Sequence, residues 1–524
     1  MLFPHQEDRM TGGGILALVA YGAQNVILSG NPQMTFWYKV FRRYSHFSME
    51  NVSKALEGSN ELFFDKSIQL RTKIDRVGDL LSDIYFTFRL PDIFSKYLTP
   101  SASRSSQFQF QWSRYIGAAI IQNVTFSVGG QKIQEFDGTY LLAKAMADYT
   151  ADEFEKWRIL VGDTEELTNP EKGVYAGGLN ATGYPSVFYN RSVTTQTNRP
   201  SLFGQDIHVP LGFWFSEHSS KALPLVGLQY HDCEISITLN PIERLYTYLD
   251  ISGYRVAPGN RMIAPVSSIR MNLPDYGAYQ DLSGEIRNFL TDFSVSPPIN
   301  NQLFINPRIQ STYVYLPAEE QKVFATSPLS YLLTQVTPYA FPGLYTRQIL
   351  DLETHNPITR LLFVPRRSDW LQRNDFANFT NWWNFPYPPF SPTPGLSQMN
   401  TSAFSSGILV PTGQMDCIRS LRVLANGNEI QEQKAVDYFT KITPWKMTSG
   451  NPKTLLPIYS FALHSPGVQP SGSINASRIT NFQVEVDVYP LPTGTTYTYD
   501  LVIYVENLNF FEVASGMGGL KYAL

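Results

Sequence analysis

Residues 121–141 read IQNVTFSVGGQKIQEFDGTYL, and residues 418–439 repeat the same pattern as IRSLRVLANGNEIQEQKAVDYF. At one constant offset the second glycine of the first stretch meets the glycine of the second. At that same offset the triplet IQE at 133–135 meets an identical IQE at 430–432. Each stretch is therefore predicted to form a strand, a glycine turn, a second strand and a short amphipathic helix.

A second pair of matching segments precedes this repeat. Residues 83–91 (DIYFTFRLP) and residues 358–365 (ITRLLFVP) both form an apolar stretch that ends at a proline, which cannot donate to a strand ladder. Two matches in the same order along the chain indicate two copies of one β domain.

Most of the remaining chain has the alternation of β-strands, and helix signals are few. The strands with the clearest alternation are residues 233–240 (CEISITLN), 482–489 (FQVEVDVY) and 499–505 (YDLVIYV). The helices that follow the two repeat copies are predicted at residues 139–149 and 434–442.

The size of each copy, roughly 200 residues with about eight strands, is that of a jelly roll. The predicted fold is all-β, with two tandem eight-stranded jelly rolls, long loops and a few short helices. The predicted limits are an N-terminal arm at 1–30, a first roll at 31–245, a connector at 246–306, a second roll at 307–514 and a C-terminal tail at 515–524.

Composition narrows the function class. The 524 residues carry a net charge of −4 and a pI near 6.0, which argues against a free-standing nucleic-acid binder. Charged residues make up 16% of the chain, against about 25% in an average soluble domain. This low charge suggests that part of the surface is buried against other copies or other proteins.

The N-terminus and the cysteines give little sign of export. Two cysteines, Cys233 and Cys417, are too few for a disulfide framework and are expected to be reduced and buried. The apolar run at 15–20 is too short to span a bilayer, and its acidic flank does not fit a signal peptide.

No catalytic motif is found in the sequence, which predicts a protein that is not an enzyme and needs no cofactor. The glycines at 12–14 lack the lysine of a phosphate-binding loop. In the stretch His231-Asp232-Cys233-Glu234 alternate side chains point to opposite faces of the strand. Only two potential metal ligands therefore share each face, too few for a four-coordinate zinc site, and no metal site is expected. Lys39, Arg42 and Arg43 could contact phosphate, although a solvated strand edge is favoured.

Two long insertions, residues 150–198 and 366–407, interrupt the strand pattern. The second contains Trp382, Trp383 and Phe385 and then a proline-rich run. Long loops leave a jelly roll at the ends of the sandwich and are usually functional. These three aromatic side chains are expected to pack either between subunits or inside a private core of their own loop.

Several segments resemble the major capsid proteins of nucleocytoplasmic large DNA viruses. Residues 17–50 (ALVAYGAQNVILSGNPQMTFWYKVFRRYSHFSME) are similar to the N-terminal signature of that family. Residues 223–237 (LPLVGLQYHDCEISI) and 356–364 (NPITRLLFV) resemble strands of its first and second jelly rolls. Residues 470–479 (PSGSINASRI) and 515–522 (SGMGGLKY) resemble its C-terminal signatures.

The resemblance implies a structural protein of the virion, assembled in the host cytoplasm. Three chains would form a pseudo-hexagonal capsomer, and capsomers would tile an icosahedral lattice with minor capsid and penton proteins. The family has an internal membrane, so the shell would make no direct contact with nucleic acid. The long insertions would form an outward-facing tower.

Two questions stay open at this stage: where the N-terminal arm lies, and whether the chain belongs to one of two other protein classes. The N-terminal arm is expected on the inner side of the capsomer, against minor proteins or the virion membrane, or else under its own first roll. A carbohydrate-binding lectin or carbohydrate-active enzyme also uses β-sandwiches with exposed aromatic side chains. A cupin-type metalloenzyme shares the jelly roll, but the seven scattered histidines argue against it.

Overall fold

The computed structural model describes residues 13–95, 109–173, 184–185, 200–249, 255–258, 284–291, 298–372, 374–381, 416–450, 456–465, 467–491 and 497–522. It divides into a short unit, Met1–His46, and a large unit, Phe47–Leu524. The short unit contains two helices, α1 (Gly13–Val19) and α2 (Ala23–Ser29). None of its described residues is buried, so the described part of this unit has no core of its own.

The large unit is built mainly of strands. Its strands in the first half are β1 Ser48–Ala55, β2 Glu61–Phe63, β3 Ile68–Lys73, β4 Leu80–Arg89, β5 Gln111–Trp112, β6 Ile121–Val128, β7 Gln131–Phe136, β8 Asp206–Pro210, β9 Leu223–Pro224, β10 Cys233–Leu239, β11 Tyr246–Leu249 and β12 Arg255–Val256. The others are β13 Gln302–Phe304, β14 Arg308–Tyr315, β15 Leu329–Leu344, β16 Gln348–Asp351, β17 Pro357–Arg367, β18 Ile418–Ala425, β19 Asn428–Ala435, β20 Ile458–Ser460, β21 Ile474–Asn475, β22 Phe482–Val488, β23 Tyr499–Ala514 and β24 Met517–Leu520.

The helices of the large unit are short and lie between strands. They are α3 Ile116–Ala119, α4 Gly138–Asp148, α5 Ala151–Leu160, α6 Glu165–Thr168, α7 Ala318–Thr326 and α8 Thr443–Met447, the last preceded by a π-helical turn, Tyr438–Ile442.

The strands form two jelly rolls with the same strand order. The first roll pairs β1-β14-β4-β8 in one sheet and β3-β10-β6-β7 in the other. The second roll pairs β15-β23-β17-β20 and β16-β22-β18-β19. Taken in chain order, each strand of the first roll has a counterpart at the same sheet position in the second. The predicted all-β double jelly roll is thereby confirmed.

The repeated segment occupies equivalent places in the two rolls. Gln134 pairs with Phe126 in the first hairpin, and Gln431 pairs with Val423 in the second, in the register that the sequence repeat predicts. Gly129 and Gly130 take positive φ angles of 57° and 82°, as a tight primed turn requires.

The structure differs from the sequence expectation at one strand of the first roll. β14 lies after the predicted boundary at residue 307, yet it pairs with both β1 and β4 of the first roll. The final strand of a jelly roll returns to the middle of the first sheet, and here it does so after the long connection from residue 246. A domain boundary predicted from sequence order alone assigns such a strand to the following domain.

Three further elements differ in detail. The insertion at 150–198 opens with helices α5 and α6 rather than with loop. The helix predicted at 434–442 begins later, because β19 continues to Ala435. The predicted tail at 515–524 contributes β24, which pairs with β23.

The central strands β17 and β23 of one sheet of the second roll are buried on both faces, and successive side chains of a strand point to opposite sides. In β17, Leu361 and Phe363 belong to the core of the second roll. The intervening Leu362 and Val364 belong instead to the core of the first roll, with Tyr504 of β23. The first roll therefore covers the outer face of this sheet, and the two rolls share one seam.

Candidate assembly interface

The seam between the rolls is held partly by glutamine side chains on two sheet edges. β7 ends one sheet of the first roll, and β15 ends one sheet of the second. Gln134 of β7 donates to the Thr334 carbonyl oxygen at 3.0 Å, and Gln335 of β15 donates to the Ile133 carbonyl oxygen at 2.8 Å. These bonds cover two strand edges that would otherwise be free to pair with other chains.

A buried ion triad lies deeper in the same seam. Arg360 of β17 contacts Asp148 at the end of α4 at 2.8 Å and Glu506 of β23 at 2.7 Å. Tyr140 of α4 also donates to Glu506, at 2.8 Å. Only 1% of the Arg360 side chain is exposed. The first roll thus supplies a carboxylate and a hydroxyl to charged groups of the second.

Burial of the triad is compensated by pairing. Burial opposes the charge of Arg360, but Asp148 and Glu506 outweigh that effect and raise its pKa above the ordinary value. A buried arginine that meets two carboxylates keeps its charge, and removal of any member would leave an unpaired charge inside the protein.

Helix α4 is also fastened to its own roll through Glu217. Lys144 of α4 donates to one oxygen of Glu217 at 2.9 Å, and Lys221 donates to the other at 2.8 Å. Burial opposes ionisation of Glu217, but the two lysines outweigh burial and hold its pKa at about 2. The carboxylate therefore stays charged in moderate acid.

Replacing Glu217 by glutamine is expected to lower the free energy of unfolding by about 2–3 kcal/mol at pH 7. The folded-state pKa lies below the ordinary value of 4.5, so this stabilisation is complete above about pH 4.5 and is lost as the pH falls towards 2. Denaturant unfolding of parent and variant between pH 7 and pH 3 should show the difference shrinking. Glu155→Gln, at an exposed pair with Arg158, is the control and should change little. A difference that does not vary with pH would contradict the assignment.

The C-terminal strand extends the seam. His231 Nδ1 lies 2.9 Å from the Gly518 carbonyl oxygen, and the Leu520 amide donates to Gln131 at 3.2 Å. Residues 231–234 do not gather as a metal site: Asp232 pairs with Lys73, while Cys233 is buried. In the part of the chain that the structure describes, no cluster of three or more His, Cys, Asp or Glu residues could hold a metal ion.

The bases of the two insertions are linked through strands β5 and β11. Arg114 and Arg158 both contact Asp163, at 2.8 Å, at the base of the first insertion. Burial opposes the charge of Arg114, but its hydrogen bonds and ion pair with Asp163 outweigh burial and raise its pKa. Asn374 of the second insertion donates to the Tyr246 carbonyl oxygen of β11, which pairs with β5 two residues before Arg114. The two bases therefore lie near each other, which sequence alone left open.

The base of the second insertion is firmly packed on both rolls. Arg367 donates to the Asn381 carbonyl oxygen at 2.8 Å and lies 3.6 Å from the centre of the Tyr497 ring. Asn374 donates to the carbonyl oxygens of Glu243 and Tyr246 in the first roll.

The aromatic residues singled out from the sequence, Trp382, Trp383 and Phe385, lie outside the described residues. Lys39, Arg42 and Arg43 lie in the short N-terminal unit and are exposed. In this short unit and the other described segments, no helix is both long and apolar enough to cross a bilayer.

The seam residues were missed by sequence reasoning, although a signal was present. Arg360 stands inside the apolar stretch ITRLLFVP, and Glu506 follows the apolar strand YDLVIYV. Charged residues are almost never fully buried unless they are paired. A charge inside one predicted strand and a charge directly after another therefore point to a buried pair.

Comparisons with known proteins cover nearly the whole chain. The family described as the N-terminus of major capsid proteins matches residues 35–263, and the large eukaryotic DNA virus major capsid protein family matches residues 320–519. The chain is 25% identical to a major capsid protein of Chrysochromulina ericina virus, over 98% of this chain and 100% of that protein. It is 26% identical to the major capsid protein of Paramecium bursaria Chlorella virus 1, over 98% and 99%.

Solved structures have the same fold. The PBCV-1 protein VP54 superposes with a TM-score of 0.63 at 21% identity, covering 94% of this chain and 100% of that one. The Faustovirus major capsid protein superposes with a TM-score of 0.61 at 13% identity, covering 96% of each. With the duplicated roll, the shared seam and both family matches in place, the chain belongs to the major capsid proteins of the nucleocytoplasmic large DNA viruses.

Proposed function

We propose that three copies of this chain form a pseudo-hexagonal capsomer and that capsomers repeat to build an icosahedral virus shell. The observation that carries the proposal is the duplication: two rolls of identical strand order are joined by a buried seam in one chain. Three such chains present six similar units, so a threefold molecule can occupy a hexagonal lattice. Heterologous contacts that close into a ring are a standard route to such oligomers.

The surface of the large unit supports assembly through extensive contacts. Large apolar side chains stand exposed on it, among them Trp445 at 85%, Leu463 at 70% and Tyr345 at 62%. Only 16% of all residues are charged. Obligate interfaces are larger and more apolar than transient ones. The comparisons give no support to the carbohydrate-binding alternative.

The insertions at 150–198 and 366–407 form the outward tower in this proposal. Support comes from their neighbouring bases, which are linked through Asn374, Tyr246 and Arg114. Minor capsid and penton proteins complete the shell. The apolar N-terminal arm at 1–30 faces these minor proteins or an internal membrane, and assembly takes place in the host cytoplasm.

Light scattering on the purified protein tests the proposal. A chain of 59.3 kDa that forms an obligate trimer should show three times that mass, with no folded monomer on dilution. We expect no folded monomer because the exposed apolar side chains of the large unit are buried only in the assembly. A mass near 59 kDa across a wide concentration range would contradict it.

A further inference from the structure

Basic and aromatic side chains are concentrated in one short segment before the first strand. Residues 36–44 read FWYKVFRRY and combine five aromatic rings with Lys39, Arg42 and Arg43. No Asp or Glu occurs from residue 10 to residue 49, although the whole chain carries a net charge of −4. The segment precedes β1 and forms neither helix nor strand, so its cations do not lie at a strand edge. We call residues 36–44 the aromatic-basic segment.

The aromatic-basic segment is exposed along its whole length. Trp37 is 93% exposed and Phe41 is 80% exposed. Lys39 lies 5.9 Å from the centre of the Phe41 ring. Within the described part of the chain, the three basic side chains are exposed and form no ion pair. Contiguous apolar surface that stays exposed marks a site where a protein meets another protein or a membrane.

Two apolar helices precede this segment in the short unit. α1 and α2 have seven residues each. Leu18 of α1 is 81% exposed, and Ile27 and Leu28 of α2 are 87% and 88% exposed. A helix that spans a bilayer needs about 20 residues, whereas shorter apolar helices bury their side chains at the boundary between headgroups and acyl chains. α1 and α2 are therefore suited to the surface of a bilayer rather than to its interior.

The chain enters the large unit far from the insertion bases. Through β14, the start of β1 at Ser48 lies level with the start of β4 at Leu80. At the other end of β4, Arg89 bonds to the residue directly after β13, and β13 pairs with β2. The residue after β2 bonds to Glu243, whose carbonyl oxygen accepts from Asn374 of the second insertion. The length of β4, about 30 Å, separates the two ends. In the proposed shell the insertions face outward, so the chain enters the large unit on the inner side.

We infer that the short N-terminal unit binds an anionic lipid surface on the inner side of the shell. Trp and Tyr rings are favoured at the headgroup level of a bilayer, and the apolar side chains of α1 and α2 reach the acyl boundary. The three basic side chains contact headgroup phosphates, and each cation strengthens binding to an anionic surface about fivefold. Three arms on one trimer add to this through multivalency. The inference rests on the proposed function and selects the membrane from the two partners named there.

A nucleic acid would also attract interleaved aromatic and basic residues. The exposed aliphatic side chains of α1 and α2, among them Leu18 and Ile27, favour the bilayer instead. They gain nothing from a phosphate backbone, whereas a bilayer surface removes them from water. Nucleic acid is therefore one outcome of the test below.

Flotation with lipid vesicles tests the inference on the full-length trimer. The parent should float with vesicles of phosphatidylcholine mixed with phosphatidylserine, and much less with vesicles of phosphatidylcholine alone. Replacing Lys39, Arg42 and Arg43 together by glutamine should lower the partition coefficient for the anionic vesicles about a hundredfold. Light scattering on this glutamine variant should give the mass of the parent trimer.

A matched control removes the same charge from the large unit. Lys73, Lys132 and Arg419 have side chains that are 60%, 57% and 62% exposed. Their joint replacement by glutamine should change the partition coefficient by less than about twofold, because salt screens charges that do not touch the lipid surface.

Trp37 gives a second readout that a change in net charge alone would not move. Lipids brominated on the acyl chain quench tryptophans that reach the acyl boundary. Quenching of the parent on anionic vesicles should be lost in Trp37→Phe. It should be retained in Trp445→Phe, because Trp445 is 85% exposed but belongs to the large unit.

The outcomes separate the inference from the function on which it rests. Anionic-vesicle binding that needs the three cations, with quenching that arises from Trp37, supports the inference. A parent trimer that floats with neither vesicle, or a glutamine variant that binds as well as the parent, overturns the inference and leaves the proposed function standing. A parent that retains duplex DNA but does not float would indicate a nucleic-acid contact and also overturn the inference. A glutamine variant that no longer forms the trimer would place the segment between subunits and overturn it as well. A monomeric parent overturns both.

Discussion

Replacing Arg360 by alanine is expected to lower the free energy of unfolding by about 3–5 kcal/mol, because it leaves two carboxylates buried without their counter-charge. Asp148 and Glu506 are 2% and 4% exposed, so little solvent reaches their charges to compensate for the lost guanidinium. Chemical denaturation followed by circular dichroism measures the loss.

Two further variants make this prediction specific. Arg419→Ala removes an arginine that is 62% exposed and pairs with Asp487 at 3.6 Å, and it should cost less than about 1 kcal/mol. Replacing Arg360, Asp148 and Glu506 together by apolar residues of similar volume should recover most of the loss, since it removes every buried charge at once. An Arg360→Ala protein as stable as its parent would show that the triad does not hold the rolls together.

The double replacement of Trp382 and Trp383 by alanine is expected to have an effect of comparable size or larger. Each large aromatic side chain contributes about 3–5 kcal/mol where it is fully buried. Of the two placements that the sequence leaves open, we propose that both tryptophans lie between neighbouring subunits in the tower. The loss should therefore appear as a lower melting temperature of the trimer, while the β signal of the chain persists.

The base of this insertion is packed on both rolls, so an effect of the double variant on the trimer can be separated from an effect on the fold of the chain. Residues 374–381 are anchored on the first roll through Asn374 and on the second roll through Arg367. A change beyond residue 381 is therefore expected to leave the packing of the rolls intact. The double Trp→Phe variant, which keeps an aromatic ring at each site, is the control and should retain most of the trimer stability. Unchanged trimer stability in the alanine variant would rule out the intersubunit role.

The fold could be predicted because strands and tight turns leave local patterns in the sequence, namely alternating apolar residues and adjacent glycines. The hairpin at 121–136 combines alternating apolar residues with two adjacent glycines, and the structure has that hairpin in the expected register. The identical triplet at 430–432 identified the duplication, and the strand orders of the two rolls confirm it.

Features that depend on distant pairing were not accessible in this way. The return of β14 to a sheet begun more than 250 residues earlier in the chain leaves no local signature. The seam depends on which face of β17 meets α4, and alternation alone does not specify what covers an outer face. The repeat aligned Gln134 with Gln431, but only the structure shows that Gln134 is buried and Gln431 half-buried.

Electron microscopy of the purified protein tests the central claim most directly, because it shows the symmetry of the particle itself. The duplicated rolls predict particles with threefold symmetry and a hexagonal outline, each holding six similar β units. Particles with a twofold axis, or single two-lobed chains at every concentration, would contradict the account.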